Sequence, residues 1–364
     1  MRAFRQNGSV IIIVLWTAVL LTVLVTAMAG KVRLSAQTAS HNRDASWDWA
    51  QHMAAVNFAE AELMMERMPP PIDQQLEETE EGELLQPLYR FDGEALQLNY
   101  AAAENMVVRI YDHAGKINLN RIPRRNMQML IEKRLGGEDA DPDQVQGLLA
   151  AWTDWTDLND LESLNGGAEK DYYLQLEQGY NPRNNPELDT VEEILHVRGF
   201  AELFEGVNLE AAFTIYGNER SVNLNVATRE AMRLLPGLDE ELIETIIAYR
   251  ELQDINNQAE LAQIVPFEYL QQLSPWITTN TTNIYSIFVY PKPRPGPAAI
   301  TGRPSDFSAP EQQAPEVEDK VRQAYMEILE VRSGNARPRI YKVDPYGMLP
   351  DTAKARTEQY GIEF

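Results

Sequence analysis

The stretch Val10–Ala29, VIIIVLWTAVLLTVLVTAMA, decides how the rest of the chain is read. It contains no charged residue, and as a helix it spans ~30 Å, the thickness of a bilayer's hydrocarbon core. Arg2 and Arg5 stand before it, and no acidic residue occurs before Asp44. A short basic head followed by such a run is a membrane-targeting device. Lys31, Arg33 and Arg43 follow the run, so charge does not fix its orientation. Ala27-Met28-Ala29 offers a small-x-small cleavage site that would leave a soluble protein starting at Gly30. Against that reading, the run is longer than the apolar core of an ordinary signal peptide.

Moving outward, no Gly or Pro occurs from Lys31 to Met68. Ala54, Ala55, Phe58, Ala61, Glu62 and Met65 fall at spacings of three and four, which predicts one helix continuing to Arg67 until Pro69-Pro70-Pro71 ends it. A helix broken at Gly30 is the alternative. Residues 77–83 read as an acidic, solvated loop. Residues 88–112 (LYRF, ALQLNYAA, MVVRIYD) read as short strands of a small antiparallel sheet, with Asp92-Gly93 as a turn. Residues 115–280 read as short helices and contain an echo. Lys116-Ile117-Asn118-Leu119-Asn120 recurs as Ser221-Val222-Asn223-Leu224-Asn225, with Met127 and Leu130 answered by Met232 and Leu235. Two related helical subdomains are expected. Asn283–Tyr290 reads as a returning strand, Pro291–Pro315 as a Pro-rich linker, Val317–Val331 as an amphipathic helix, and Arg339–Val343 as a last strand.

The expected fold class is α+β: a long N-terminal helix and a small antiparallel sheet, with a large all-α insertion containing helix-hairpin-helix-like elements. The expected divisions are 1–8 leader, 9–30 membrane-spanning, 31–68 exposed helix, 69–114 first part of the sheet, 115–280 inserted helical domain, 281–290 returning strand and 291–364 linker, helix and extension.

The 364 residues carry 32 Lys+Arg against 55 Asp+Glu, a net charge of −23, and no Cys. That charge repels phosphate backbones and anionic membrane surfaces. The lack of Cys excludes disulfides, thiolate metal sites and a Cys nucleophile. His41, His52, His113 and His196 are scattered, and no H-E-x-x-H, P-loop or G-x-S-x-G is present. No enzyme is expected.

Residues 221–251 look like a helix-hairpin-helix: Thr228 as N-cap, Met232 and Leu235 inward, Pro236-Gly237 as the turn, then Ile243, Ile246, Ile247 and Arg250. Competence-type DNA receptors carry a similar motif, so a membrane-anchored DNA receptor is the alternative function. The turn runs into Asp239-Glu240-Glu241, three carboxylates that repel phosphate, which favours a packing or interaction module. A second cluster is Asp154-Trp155-Thr156-Asp157-Leu158-Asn159-Asp160, followed by Gly166–Tyr173 and Asn184-Asn185-Pro186. Its concentration of acidic and amide oxygens suits Ca²⁺, although the EF-hand spacing is absent. The competing reading is a polar loop whose carboxylates cap helices, with Thr190–Glu193 as a capping box.

The short basic leader ending at Gly8, directly before an apolar helix, resembles the class III signal of type IV pilins and pseudopilins. There a membrane peptidase cuts after the Gly and methylates the new amine, here Ser9. Most such subunits carry Glu at mature position five; this chain has Ile13. A subunit without that acceptor suits a filament end, where one neighbour is missing. D-W-T-D, G-A-E-x-D-Y-Y, N-N-P-x-L-D-T-V-E-E-I-L-x-V-R-G and V-N-L-N-V-A-T together resemble minor pseudopilin K of the bacterial type II secretion system, from Gly8 to about Tyr290. The resemblance implies a single-pass inner-membrane protein with a periplasmic domain, capping the pseudopilus with minor pseudopilins I and J and supporting export of folded proteins. It also implies contacts with the major pseudopilin, the inner-membrane assembly platform and the prepilin peptidase, no nucleic-acid partner, and bound calcium. Gly8 and Ser9 carry over as the processing junction. Asp157, Asp160, Glu169, Asp171 and Asn185 carry over as members of the calcium loop. Pro291–Phe364 departs from the family pattern, being longer and Pro-rich.

Overall fold

The computed structural model describes residues 9–66, 90–96, 105–177, 179–182, 185–292, 323–332 and 336–350. Gly8 and the leader, Pro69–Pro71, the 77–83 loop, most of ALQLNYAA, the linker beyond Lys292 and the start of the 317–331 segment lie outside them. The chain divides into two compact units, 1–54 and 55–364.

Helix α1 runs unbroken from Ser9 to Glu66, so Gly30 does not interrupt it. In the first unit every side chain from 11 to 50 is exposed, including an apolar window long enough to cross a membrane. The last turns of α1 belong to the second unit and bury Ala55, Val56, Ala59 and Leu63. The buried stripe is therefore rotated from the expected one: Phe58, Ala61 and Glu62 are half-buried and Met65 is exposed.

The second unit is built on an antiparallel sheet of β1 (Asp92–Leu96), β2 (Met106–Asp112), β7 (Ile284–Pro291), β8 (Gln323–Glu330) and β9 (Arg339–Met348), neighbours in that order. The expected turn at Asp92-Gly93 is a bulge within β1 instead. Gly93 takes φ +98°, and a Cβ there would lie 2.1 Å from the Tyr111 ring. β2 pairs with β7 (Ile284–Pro291) from Met106↔Pro291 to Asp112↔Tyr285. Everything between these two neighbouring strands is one inserted helical block.

That block contains a duplication. Its first copy starts with β3 (Ile117–Asn118) and helices α2 (Arg124–Arg134) and α3 (Pro142–Thr156). It continues through α4 (Lys170–Leu174), a 3₁₀ turn at Val191–His196, α5 (Phe200–Leu203) and α6 (Leu209–Ala212), and closes with β4 (Phe213–Thr214). The second copy has β5 (Val222–Asn223), α7 (Arg229–Leu234), α8 (Glu240–Leu252), α9 (Gln258–Leu261), α10 (Phe267–Leu273) and β6 (Ile277–Thr278). The echoed asparagines hold both copies the same way. Asn118 pairs in parallel with Thr214, and Asn223 with Thr278. Asn120 Oδ1 accepts from Leu188 N at 2.7 Å and its amide donates to Leu188 O at 3.2 Å. Asn225 repeats both bonds with Ile255 at 2.8 and 3.0 Å. Leu188 and Ile255 are thus structural equivalents. In the second copy, α8 reaches Ile255 through Gln253 and Asp254 alone. In the first, α3 reaches Leu188 only after residues 157–187. One apolar core joins the copies, from Met127 and Leu130 to Met232, Leu235 and Trp276.

The segment expected as a helix over 317–331 is, from Gln323 to Glu330, strand β8. It pairs with β7 on one side and with β9 (Arg339–Met348) on the other. Both faces of β8 are covered: Ala324 through Leu329 are all buried. Double burial erases the alternation that marks a half-exposed strand, leaving an apolar run that also satisfies a helical template.

Candidate functional site

Residues 157–187 are the insertion that distinguishes the first copy from the second. Asp154, in the last turn of α3, is 1% exposed and pins the insertion. Its carboxylate accepts from Ser163 N at 3.1 Å and from Ala168 N at 2.9 Å. A Cβ on Gly167 would lie 2.1 Å from Asp154 Oδ2, so glycine permits this approach. Asp157 turns the chain by accepting from Asn159 N at 3.1 Å and Asn159 Nδ2 at 2.8 Å. Asn165 adopts φ +71° at the tip. Arg198 donates to Gly166 O at 3.1 Å and Gly167 O at 3.2 Å, and stacks over Tyr172 at 5.1 Å. Beneath lie Trp155, Tyr173 and Tyr180, with Trp155 and Tyr173 edge to face at 5.1 Å. Leu158, Leu161 and Leu164 are 77, 78 and 89% exposed, so the segment is held by its polar groups and not by its leucines.

Glu169 is the exceptional side chain. It is 7% exposed, yet neither carboxylate oxygen has a hydrogen-bond partner. Burial first, and then the charges of Asp154, Asp157 and Asp160, push its carboxyl up to about 7. A buried carboxyl facing three others requires a proton or a cation. Of the residues carried over for calcium, Asp157, Asp160 and Glu169 therefore act on one another. Asp171 lies exposed in the first turn of α4, and Asn185 Oδ1 accepts from Glu187 N at 3.2 Å. Asp154 belongs with the group. The signal for it was its position three residues before Asp157 on α3, which puts both at one helix end. Among the described residues, no three carboxylate or imidazole groups stand close enough to hold an ion as placed. The fit to a cation thus rests on the two orphaned Glu169 oxygens and the surrounding charge.

The expected capping box is not made: Thr190 forms no side-chain cap. Glu193 instead accepts from Asp189 N at 2.9 Å and Trp155 Nε1 at 3.1 Å. In the 221–251 hairpin, Thr228 Oγ1 caps α7 by accepting from Ala231 N at 3.1 Å. The turn's carbonyls at Leu235 and Leu238 take hydrogen bonds from Lys133. Asp239 caps α8, accepting from Leu242 N at 2.8 Å. The helix end that would meet a phosphate already holds the chain's own carboxylate.

Sequence reading passed over a buried polar group. His113 bridges Thr214 Oγ1 and Ser286 Oγ, both at 2.7 Å. Lys116 donates to Glu210 O at 2.8 Å and Ser286 Oγ at 3.2 Å. Burial holds His113 well below the usual imidazole range and lowers Lys116 to about 8. A lysine beside a serine has the look of a nucleophile with its base. The adjoining cavity is about 20 Å³, room for a water and not for a substrate. The group ties β7 to the helical block. Of the residues carried over for processing and position five, Gly8 lies outside the described residues, Ser9 is the first residue of α1 and Ile13 is 61% exposed on it.

Residues 115–204, most of the first copy, match the family model described as Type II secretion system (T2SS), protein K. Comparison with curated proteins gave no match. Among solved structures, the chain aligns with one from the GspK-GspI-GspJ complex of the enterotoxigenic Escherichia coli type 2 secretion system. The alignment has 13% identity and a TM-score of 0.48, and covers 85% of this chain and 98% of that one. The sequence motifs and the match over the first copy support the same family, protein K of the type II secretion system.

Proposed function

We propose that the chain is a non-catalytic minor pseudopilin that stands at the tip of the pseudopilus with minor pseudopilins I and J and supports export of folded proteins across the outer membrane. The observation that carries this reading is α1. Its N-terminal apolar stretch is uncovered from Ile11 onward, whereas its last turns pack within the unit that contains the family match. Uncovered apolar surface of that length calls for lipid or neighbouring helices. Processing after Gly8 leaves α1 attached with methylated Ser9. Ile13 in place of Glu leaves no acceptor for a neighbour's amine, which suits an end position. The membrane is the bacterial inner membrane, with residues beyond the anchor in the periplasm.

Calcium in the 157–187 insertion belongs to the same proposal. Glu169, with Asp154, Asp157 and Asp160, would hold the ion, whose chemistry is charge neutralisation by oxygen ligands. The second copy closes without this insertion, so the fold itself does not require it.

The test is to purify the native chain with its companions and read its mature terminus by mass spectrometry. N-methyl-Ser9 together with I-like and J-like subunits is the expected result. A terminus at Gly30, or a chain purified alone, overturns the reading. Ile13→Glu addresses the end position separately: unaltered tip occupancy and secretion would remove Ile13 from the argument.

A further inference from the structure

The two copies differ in one more place. In the first, Thr190, Val191, Phe213, Thr214 and Ile215 form a groove that this chain's own sheet fills, with Ile328 of β8 and Lys342 of β9 in its wall, leaving about 20 Å³. Lys342 is held there by Glu192 at 3.3 Å and by Glu210. The asparagine bonds fix the equivalent positions in the second copy. Leu188 matches Ile255, so Thr190 and Val191 match Asn257 and Gln258. Thr214 matches Thr278, so Phe213 and Ile215 match Ile277 and Thr279. Those five residues line an open cleft of about 310 Å³, with Asn223, Leu224, Asn225, Ile255, Leu261 and Ser274 completing it. Among the described residues, none of the five-stranded sheet lines it.

We infer that the second-copy cleft is a docking site for an extended strand of another protein, one that presents an aliphatic side chain flanked by uncharged polar groups. The first copy supplies the precedent, since a strand face occupies the same groove there. Charge selects the occupant. Where the first copy has Glu192 and Glu210 to receive a lysine, the second has Ala259 and Ser274, and no charged side chain lines the cleft. β9 of a second copy would bring Lys342 to a lining without an acidic side chain, where the neighbouring Glu260 carboxylate is already engaged by Asn256 N and the Asn257 amide, at a desolvation cost. Asn257 and Thr278 already bond within the chain, to Glu260 and Asn280, which leaves the Gln258 carbonyl and the Ser274 and Thr279 hydroxyls to bond a neutral strand's backbone. The volume is at the lower end for a ligand pocket and suits a short segment. This inference does not depend on the pseudopilin assignment.

The probe is a fluorescein-labelled peptide of residues 336–345, alongside its analogue with serine in place of Lys342. Both are titrated by anisotropy into the full chain in detergent at 0.15 M salt. The serine peptide is expected to bind at least 5-fold tighter than the lysine peptide. Ala259→Glu with Ser274→Glu restores the acidic pair and should reverse that preference. Thr278→Trp fills the cleft and should abolish binding of both, while circular dichroism stays unchanged. Absence of saturable binding, or binding that Thr278→Trp leaves intact, overturns the inference. Concentration-dependent self-association of the full chain that Thr278→Trp abolishes would assign the cleft to a second copy and overturn it as well.

Discussion

The carboxyl of Glu327 on β8 faces that of Glu60 on α1, and burial followed by this neighbour pushes Glu327 up to about 7. Glu327 is 4% exposed, and its Oε2 accepts from Tyr325 OH at 3.3 Å. The last turns of α1 therefore meet the sheet across two carboxyl groups that cannot both be charged cheaply. Because the folded value is raised, the pair stabilises below about pH 4.5 and loses that contribution as pH rises through about 7. Glu327→Gln should raise the urea midpoint at pH 8 by the equivalent of about 1–3 kcal/mol and flatten its dependence between pH 5 and 8.

Glu169 behaves the same way without metal, its carboxyl being raised to about 7. Under the proposed calcium binding the ion would offset this repulsion, so melting at pH 8 should rise with millimolar calcium and fall with a chelator. Saturation at 100 times the dissociation constant is worth about 2.7 kcal/mol. Glu169→Gln should abolish most of the calcium effect while raising the metal-free melting temperature.

Gly167 sits where a side chain would strike Asp154. Gly167→Ala should cost about 1–3 kcal/mol, read from chemical denaturation, because the loop must move off its anchoring carboxylate. Gly136→Ala has open space despite its positive φ and should cost less, about 1 kcal/mol of backbone strain.

Lys116 is buried and lowered to about 8. The unfolded chain keeps this proton up to about 10.5, so the group's contribution to stability rises with pH between those values. Lys116→Met removes both the buried cation and that rise. Near pH 7 it should be neutral to within about 1 kcal/mol, since a well-packed apolar chain replaces a desolvated charge. Stability measured from pH 7 to 10 gives the slope.

Asn120 and Asn225 each clasp a distant backbone position through both amide atoms. Alanine at either should cost a similar ~1–3 kcal/mol, because buried backbone groups lose partners. Unequal losses would show that the insertion, and not the asparagine, governs the first copy.

The long helix was legible because the apolar run and the stretch free of Gly and Pro each satisfy a helical template, although Gly30 between them left a break open. The duplication was legible because both copies need the same asparagines at the same spacing. β8 was not, because its two covered faces remove the period of two. Gly93 read as a turn because sequence does not separate a hairpin glycine from a bulged one. At the acidic insertion, composition pointed to the region, but the orphaned oxygens of Glu169 depend on how Asp154 folds the loop back. The His113–Lys116–Ser286 group was invisible, since its members come from segments far apart in sequence.

The helical block leaves the sheet after Asp112 and rejoins it at Ile284, and Asp112 accepts from both the backbone and the hydroxyl of Thr282. Entrance and exit share one doorway. Lengthening a closed excursion costs only a logarithmic increment of entropy, so evolution can enlarge or trim this head without shifting one rung of the ladder that carries it.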